Sequence, residues 1–190
     1  MNRFAVSITI FLALFIAAGF TAYRIGAAVG ASSKAQFAAA NATVASSSSS
    51  GKQYTVAASE VAAGKKVFDT NCAVCHQTTG LGVPGAFPPL KQHIVNLMAR
   101  AGGRIYLGKV LLYGIQGKIK VLGKTYNGVM PAWGSILSSK QIAEAVNYAL
   151  SSWGNQLPKG KKPISVSEID RLRKKQLSPQ QVYKLQPKGG

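Results

Sequence analysis

A short motif of two cysteines and a histidine constrains this 190-residue chain more than any other feature. Cys72, Cys75 and His76 follow the pattern C-x-x-C-H, and the chain contains no other cysteine. Two thiols at this spacing can add to the vinyl groups of one haem while the adjacent imidazole reaches its iron. The motif therefore predicts one covalently bound haem c, attached through both cysteines, with His76 as an axial ligand of the iron.

Three other kinds of site use a C-x-x-C pattern: a redox dithiol, part of a zinc site and an ordinary disulfide. A thioredoxin-like dithiol belongs to a βαβ context, which the sequence does not predict. A structural zinc site needs four ligands, and the chain offers only His93 as a further histidine or cysteine besides the motif. We therefore favour haem over these alternatives, and a bound haem would add a large apolar body to the core.

The N-terminal segment predicts export from the cytoplasm. Residues 4–23 are free of charged side chains and largely apolar, and as a helix they are long enough to cross about 30 Å of hydrocarbon. Residues 1–26 are therefore interpreted as a transmembrane anchor or a signal peptide, since small residues around their C-terminal end offer cleavage sites. A buried helix of a soluble domain is a poorer interpretation, because the run has no polar face.

Residues 27–54 are rich in Ala and Ser and predict a flexible linker. Because a linker implies something to be tethered to, we favour an uncleaved anchor over a removed signal peptide. The haem domain would then face the periplasm or the cell exterior from the cytoplasmic membrane, with a soluble exported protein as the alternative. After the linker we expect one haem-binding domain at 55–157 and a basic extension at 158–190.

Two long helices are predicted at the ends of the domain. Ser59 is the expected N-cap of a first helix that runs to Cys72, so the haem motif closes this helix. Apolar residues recur at helical spacing over residues 140–153, and Ser138 and Gln141 have the spacing of a capping box. The second long helix therefore begins after Ser138.

Shorter elements are predicted between and beyond the long helices. Residues 91–101 and 104–113 predict two short helices, and residues 118–126 predict a β-hairpin that turns at Leu122-Gly123. In the extension, Ser165 and Glu168 form a predicted capping box for a helix to about residue 176, and Ser178-Pro179 predicts the start of another short helix.

The two long helices resemble those of a known family. Gly64 and Phe68 lie eight and four positions before the first cysteine, and Tyr148 lies late in the second long helix. This arrangement resembles the crossed terminal helices of class I cytochromes c, in which a glycine permits close approach and aromatic rings lock the crossing. The resemblance implies a mostly α class I cytochrome c fold around one covalent haem, with the small hairpin and a C-terminal helical extension.

The Gly- and Pro-rich segment 80–90 resembles the proximal loop of the same family. The resemblance implies that the carbonyl of Pro88 accepts a hydrogen bond from the ligating imidazole of His76. Such a contact fixes the ring and makes it a stronger donor to iron. Pro89 is the alternative, because both prolines present a carbonyl group.

The resemblance also implies the sixth ligand of the iron. Met130 lies in an irregular segment, 126–133, that resembles the methionine-ligand loop of class I cytochromes c. A thioether is a soft, neutral ligand that favours ferrous iron, so Met130 would raise the reduction potential. His93 is an alternative ligand, and an open sixth site is another. We interpret Met98 as core filler, the usual role of a lone methionine.

Over residues 59–185 the chain resembles one branch of the family closely: the cytochromes c of thermophilic bacteria that donate electrons to a haem-copper terminal oxidase. The hairpin before the methionine loop and the basic extension are the shared features. That branch is best known as soluble, exported proteins, so the linker and the predicted anchor are a departure. The resemblance implies an electron carrier of a respiratory chain and not an enzyme.

The formal net charge of +18 indicates an acidic partner. Nucleic acid is not expected as a partner, because an exported haem protein seldom meets it and the sequence carries no recognition motif. By family resemblance, lysines near the haem would steer docking to a terminal oxidase or another redox protein with an acidic patch. The candidate docking residues are Lys91, Lys118, Lys120, Lys124 and Lys140.

Two other functions stay open at this level. The chain could be the cytochrome subunit of an exported dehydrogenase or sulfur-oxidising enzyme, or its electron acceptor, with the basic extension as an assembly surface. A haem sensor with an open sixth site is the second alternative. The identity of the redox partner distinguishes the first alternative from an oxidase donor. The ligation of the iron distinguishes the second.

Overall fold

The computed structural model describes residues 51–187, in which helices pack with a two-stranded antiparallel sheet. In chain order the elements are α1 (Ala58–Asn71), α2 (Ala73–His76), α3 (His93–Ala99), α4 (Gly103–Tyr113), β1 (Ile115–Val121), β2 (Lys124–Met130), α5 (Ser139–Ser151), α6 (Val166–Arg173) and α7 (Pro179–Lys184). The predicted mostly α fold with a small hairpin is confirmed. None of these helices has the length and apolar character that a membrane crossing requires. The predicted anchor at 4–23 and most of the predicted linker lie outside the described residues.

Helices α1 and α5 cross in close contact, and Gly64 lies at the crossing. A Cβ atom at position 64 would lie 2.1 Å from the backbone carbonyl oxygen of Glu144, so only glycine permits this approach. Three aromatic rings pack together at the crossing, and the ring centroids of Phe68, Tyr148 and Trp153 lie 5.2 to 5.4 Å apart. The predicted crossing of the two long helices is confirmed, and it fixes the direction in which α1 approaches the haem motif.

The predicted capping box of α5 is confirmed. Ser138 Oγ accepts a hydrogen bond from the backbone N–H of Gln141, and the Gln141 side chain accepts one from the backbone N–H of Ser138. The sequence predicts a helix that continues to Trp153, but α5 ends two residues earlier. Trp153 adopts a left-handed φ of 57°, and Asn155 Nδ2 donates to the carbonyl oxygen of Ala149 at 2.8 Å, so the helical hydrogen bonding stops here.

The prediction of Ser59 as the N-cap of α1 is wrong. Ala57 occupies the N-cap position, and its carbonyl oxygen accepts the first helical hydrogen bond, from Val61 N–H at 3.0 Å. Ala57 has no side-chain oxygen to cap the helix. The segment before it is held instead by Gln53, whose side-chain amide donates to the carbonyl of Leu157 at 2.9 Å. No side chain caps the start of α1, and a tertiary contact holds the segment before it.

Two helices are shorter than predicted. The helix expected at 91–101 is α3, and it begins only after Gln92, which adopts a left-handed φ of 62° and donates its N–H to Asn155 Oδ1 at 2.7 Å. The helix expected to continue to about residue 176 is α6, which ends at Arg173. Side chains of α4 donate to the carbonyl groups at the C-terminal end of α6, so these groups are satisfied without a further helical turn.

The β-hairpin is longer than predicted. The sequence predicts strands over 118–126, whereas β1 and β2 pair from Ile115 with Met130 to the turn at Leu122-Gly123. The predicted turn is confirmed, and both of its residues have positive φ. Glycines in both strands interrupt the alternation of apolar and polar side chains. The half of the hairpin farther from the turn therefore lacks the pattern that predicts a strand. Met130 is therefore the last residue of β2, and the prediction that it lies in an irregular segment is wrong.

The C-terminal extension contributes to the same hydrophobic core as the rest of residues 51–187. Ile169 in α6 and Val182 in α7 are fully buried in the main core cluster. Capping boxes at Ser165 and Ser178 start the two helices, where the sequence predicts helix starts. The inner side of the extension packs against α4, α5 and β1.

An ion pair between Arg104 and Glu168 ties α6 to α4 and makes stability depend on pH. Hydrogen bonds from the Arg104 guanidinium, assisted by the backbone N–H of Ser165, lower the pKa of Glu168 to about 2. Because the folded pKa lies below the ordinary value of 4.5, the ion pair stabilises the fold above pH 4.5 and loses this effect as the pH falls towards 2.

We expect Glu168→Gln, which can keep the capping box, to lower the free energy of unfolding by about 1 to 2 kcal/mol at pH 7. The difference from the parent protein should shrink between pH 4.5 and pH 2, as measured by denaturant unfolding across pH. Asp170→Asn is the matched control, because Asp170 is exposed on the same helix and has no ion pair among residues 51–187. A difference for Glu168→Gln that stays constant down to pH 2 would contradict the ion-pair explanation.

Candidate haem site

The C-x-x-C-H motif forms a tight helical turn at the end of α1. The backbone N–H groups of Cys75 and His76 both donate to the carbonyl oxygen of Cys72, at 3.2 and 2.9 Å. Both cysteines are half-buried, and no disulfide joins them. Burial, together with the neighbouring Cys75, raises the pKa of Cys72 to about 11. A redox dithiol needs a thiol whose pKa is depressed, so this environment does not favour that alternative.

The His76 ring is buried and oriented by one backbone acceptor. Its Nδ1 atom lies 3.0 Å from the carbonyl oxygen of Pro88, and the residue is only 8% exposed. Since a carbonyl can only accept, Nδ1 carries the proton, and Nε2 presents a lone pair that has no hydrogen-bond partner among residues 51–187. Burial lowers the pKa of His76, which keeps the ring neutral. These are the properties of an imidazole ligand to iron, and the residues therefore fit a haem.

The loop after the motif places the carbonyl of Pro88 against the imidazole. The backbone N–H of Gly82 donates to the carbonyl of His76 at 3.0 Å, and Gly82 has a φ of 65°. A Cβ atom at Gly82 would lie 2.3 Å from the carbonyl oxygen of Phe87, which shows how tightly the loop folds on itself. Of the two prolines considered from sequence, Pro88 makes the contact with the ring, and no such bond involves Pro89.

Met130 is supplied by a different part of the fold. It is half-buried at the end of β2, packs against the core cluster and is followed by Pro131. Within residues 51–187, no hydrogen bond joins Met130 to the C-x-x-C-H motif or to the loop that carries Pro88. Met98 is completely buried in the core, as predicted for core filler. His93 is half-buried at the start of α3, where burial lowers its pKa to about 4.

Two residues to which the sequence gives no predicted role at the site support it. Trp153 Nε1 donates to the carbonyl oxygen of Thr78 at 2.8 Å and so ties the end of α5 to the loop behind the motif. Arg173, which the sequence predicts only as part of the basic extension, binds the backbone after Met130. Trp153 could have been found as a large aromatic residue beside a helix stop. No signal in the sequence distinguishes Arg173 from its basic neighbours.

Comparison with known proteins agrees with these features. The cytochrome c family model matches residues 61–153. Cytochrome c-552 of Thermus thermophilus is 48% identical over 120 residues, which cover 63% of this chain and 90% of that protein. The cytochrome c subunit of a quinone alcohol dehydrogenase from Gluconobacter oxydans is 33% identical over 112 residues, which cover 58% of this chain and 22% of that subunit.

The site, the helix crossing and the relatives lead to one assignment. The buried imidazole bound by Pro88 and the two thiols on the adjacent turn are the groups that covalent attachment of a haem needs. The segment of this chain that aligns with the Thermus relative covers nearly all of that protein, and the family model matches residues 61–153 of this chain. This chain therefore belongs to the class I c-type cytochromes, electron carriers whose cofactor is covalently bound haem c.

Proposed function

We propose that this cytochrome carries electrons to a terminal oxidase, with Cys72 and Cys75 as the haem attachment points and His76 and Met130 as the axial ligands. The observation that supports this proposal best is the hydrogen bond between His76 Nδ1 and the Pro88 carbonyl, which leaves Nε2 available to iron. When bound, haem supplies a one-electron couple between ferrous and ferric iron. The similarity to Thermus cytochrome c-552 supports the carrier function.

The residues of the chain hold this couple in one geometry. The Pro88 carbonyl fixes the rotation of the His76 ring and increases its basicity. The Met130 thioether is neutral and soft, so it favours the ferrous state and raises the reduction potential. If His76 and Met130 both held the iron in both oxidation states, little rearrangement would accompany electron transfer. Both ligands also exclude small molecules from the iron, which suits a carrier and not an enzyme.

The proposed location is the outer side of the cytoplasmic membrane. An apolar run at 4–23 followed by an Ala- and Ser-rich linker supports a tethered haem domain that faces the periplasm or the cell exterior. A soluble exported protein is the alternative. An intact mass of the mature protein distinguishes the two, because it reports both cleavage of the N-terminal segment and the added haem.

The charge of the hairpin supports docking to an acidic partner. Lys118, Lys120 and Lys124 are exposed on the strands that end at Met130, and none of them has an ion pair among residues 51–187. Lys140, another predicted docking residue, is paired with Glu144 and is therefore a weaker candidate. Unpaired lysines on one hairpin would attract an acidic patch over several ångströms and speed encounter without tight binding.

We expect charge reversal at the three hairpin lysines, Lys118→Glu with Lys120→Glu and Lys124→Glu, to lower the second-order rate of oxidation by the purified terminal oxidase at least ~10-fold at low salt. Stopped-flow absorbance gives this rate, and the deficit should fade as ionic strength rises. The control carries the same charge change at Lys159, Lys161 and Lys162, in the loop before α6. An equal fall in the oxidation rate of both variants would contradict steering by the hairpin. An oxidation rate of the parent protein that does not change with ionic strength would also contradict it.

A second candidate function follows from the dehydrogenase relatives. The Gluconobacter subunit and the cytochrome c subunit of gluconate 2-dehydrogenase from Pantoea cypripedii, 26% identical over 122 residues, support a role as a cytochrome subunit of an exported dehydrogenase. This chain covers only 22% and 24% of those two subunits. Rapid reduction by a quinone-linked dehydrogenase together with no oxidation by the oxidase would favour this second function.

A further inference from the structure

The segment that connects Met130 to α5 is held by a residue from the C-terminal extension. After Met130 the chain runs through residues 131–138 before α5 begins. Its first half is attached to α4, since the backbone N–H of Trp133 donates to Leu111 and that of Gly134 to Leu112, at 2.9 and 3.0 Å. No helix or strand reinforces this segment. The pairing of Met130 with Ile115 holds the chain before this segment, so the direction of the Met130 side chain depends on the hairpin on one side and on what holds residues 131–138 on the other.

Arg173 binds the second half of the same segment with its whole guanidinium group. Nη1 donates to the carbonyl oxygen of Gly134, Nη2 donates to that of Leu137, and Nε donates to Ser139 Oγ at 2.8 Å. The three acceptors are uncharged, and Arg173 has no carboxylate partner among residues 51–187. One side chain thus satisfies acceptors on both sides of the start of α5.

Arg173 is itself fixed from α4. Tyr113 Oη donates to the carbonyl oxygen of Arg173 at 2.8 Å. Lys109, which is only 5% exposed, donates from Nζ to the carbonyl oxygens of Leu172 and Lys175, the first at 2.6 Å. A cation at the C-terminal end of a helix is stabilised by the helix dipole and by the unpaired carbonyl groups. Side chains of α4 therefore hold the backbone on both sides of Arg173 and at Arg173 itself, from which the guanidinium reaches the segment.

We propose that Arg173 is the positioning residue that keeps Met130 directed at the haem iron, an inference that rests on the proposed ligation by Met130. The attachment of the extension does not depend on Arg173, because Ile169 and Val182 are buried in the core and Glu168 pairs with Arg104. Loss of the guanidinium should therefore loosen the segment between Gly134, which stays bonded to α4, and the start of α5, while α6 stays attached. The expected result is a methionine that dissociates from iron more readily in a protein that is still folded.

The test compares full-length, haem-loaded Arg173→Met with Arg171→Met, a matched control on the same helix. Arg171 is exposed, and its side chain makes no hydrogen bond among the described residues. Three quantities are measured: the methionine-dependent ferric absorption band near the red end of the visible, the rate of carbon monoxide binding to the ferrous protein, and the denaturation midpoint. We expect Arg173→Met to bind carbon monoxide at least tenfold faster than the parent and to lose the band on heating well before it unfolds.

Arg173→Lys and Ser139→Ala make the test independent of folding failure. A lysine ammonium donates from a single nitrogen and cannot span the three acceptors as the guanidinium does, so Arg173→Lys should fall between the parent and Arg173→Met, and Ser139→Ala removes a single acceptor. If the methionine variants at 171 and 173 bind carbon monoxide equally fast, or if Arg173→Met loses the band only at its unfolding midpoint, Arg173 has a purely structural role. A parent protein that lacks the band, or that already binds carbon monoxide rapidly, would instead contradict ligation by Met130 itself.

Discussion

Replacing Met130 with alanine should remove the methionine-dependent ferric absorption band and lower the reduction potential by about 0.1 to 0.3 V, within the ~0.8 V that axial ligands span. The ferrous protein should also bind carbon monoxide rapidly, because the sixth position is then free of a strong protein ligand. Met130 ends β2 and is only half-buried, so the substitution should leave the fold intact. Absorption spectra, redox titration and carbon monoxide stopped flow measure the three effects.

Met98→Leu is the matched control for this substitution. Met98 is completely buried in the core, and leucine nearly conserves its volume, so the band and the potential should stay unchanged while stability changes by less than about 1.5 kcal/mol. His93→Gln addresses the remaining candidate ligand and should likewise retain the band. If Met130→Ala keeps the parent spectrum and His93→Gln changes it, the sixth ligand is His93. The reduction potential is then not raised by a thioether ligand.

The parts of the fold that sequence predicts well are those set by neighbouring residues. The capping box at Ser138 depends on residues three positions apart, and the hairpin turn at Leu122-Gly123 depends on two adjacent residues. The helix crossing is a longer-range feature, yet Gly64 and Phe68 predict it because their positions before the cysteine motif resemble those in class I cytochromes c. Local rules and a family pattern therefore account for most of the correct predictions.

The parts that sequence does not predict depend on partners far apart in the chain. Arg173 binds acceptors 34 to 39 positions away, and nothing in its own neighbourhood marks it among several basic residues. The segment before α1 is held by Gln53, which binds Leu157 across 104 positions. The half of the hairpin farther from the turn forms through backbone pairing that reaches Ile115 and Met130, although its side chains do not alternate. Packing between distant segments overrides weak local signals in each case.

Gly64→Ala should be among the most destabilising single substitutions in residues 51–187. Alanine is a better helix former than glycine by about 1 kcal/mol, so helix propensity alone predicts a more stable protein. The added Cβ would instead lie 2.1 Å from the Glu144 carbonyl oxygen and 2.8 Å from Tyr148 Cβ, and neither atom belongs to the end of a flexible side chain. Helices α1 and α5 must therefore separate, which disturbs the aromatic packing of Phe68 with Tyr148 and Trp153.

We expect this separation to outweigh helix propensity and to lower the free energy of unfolding by about 3 kcal/mol, equivalent to a fall in Tm of roughly 10 °C. Denaturant and thermal unfolding of the haem-loaded protein measure the change. Gly128→Ala is the matched control, because a Cβ at this exposed position meets nothing within 4 Å, and its effect should stay within about 0.5 kcal/mol. If Gly64→Ala is as stable as the parent, the two helices lie farther apart at the crossing than the distances to Glu144 and Tyr148 indicate.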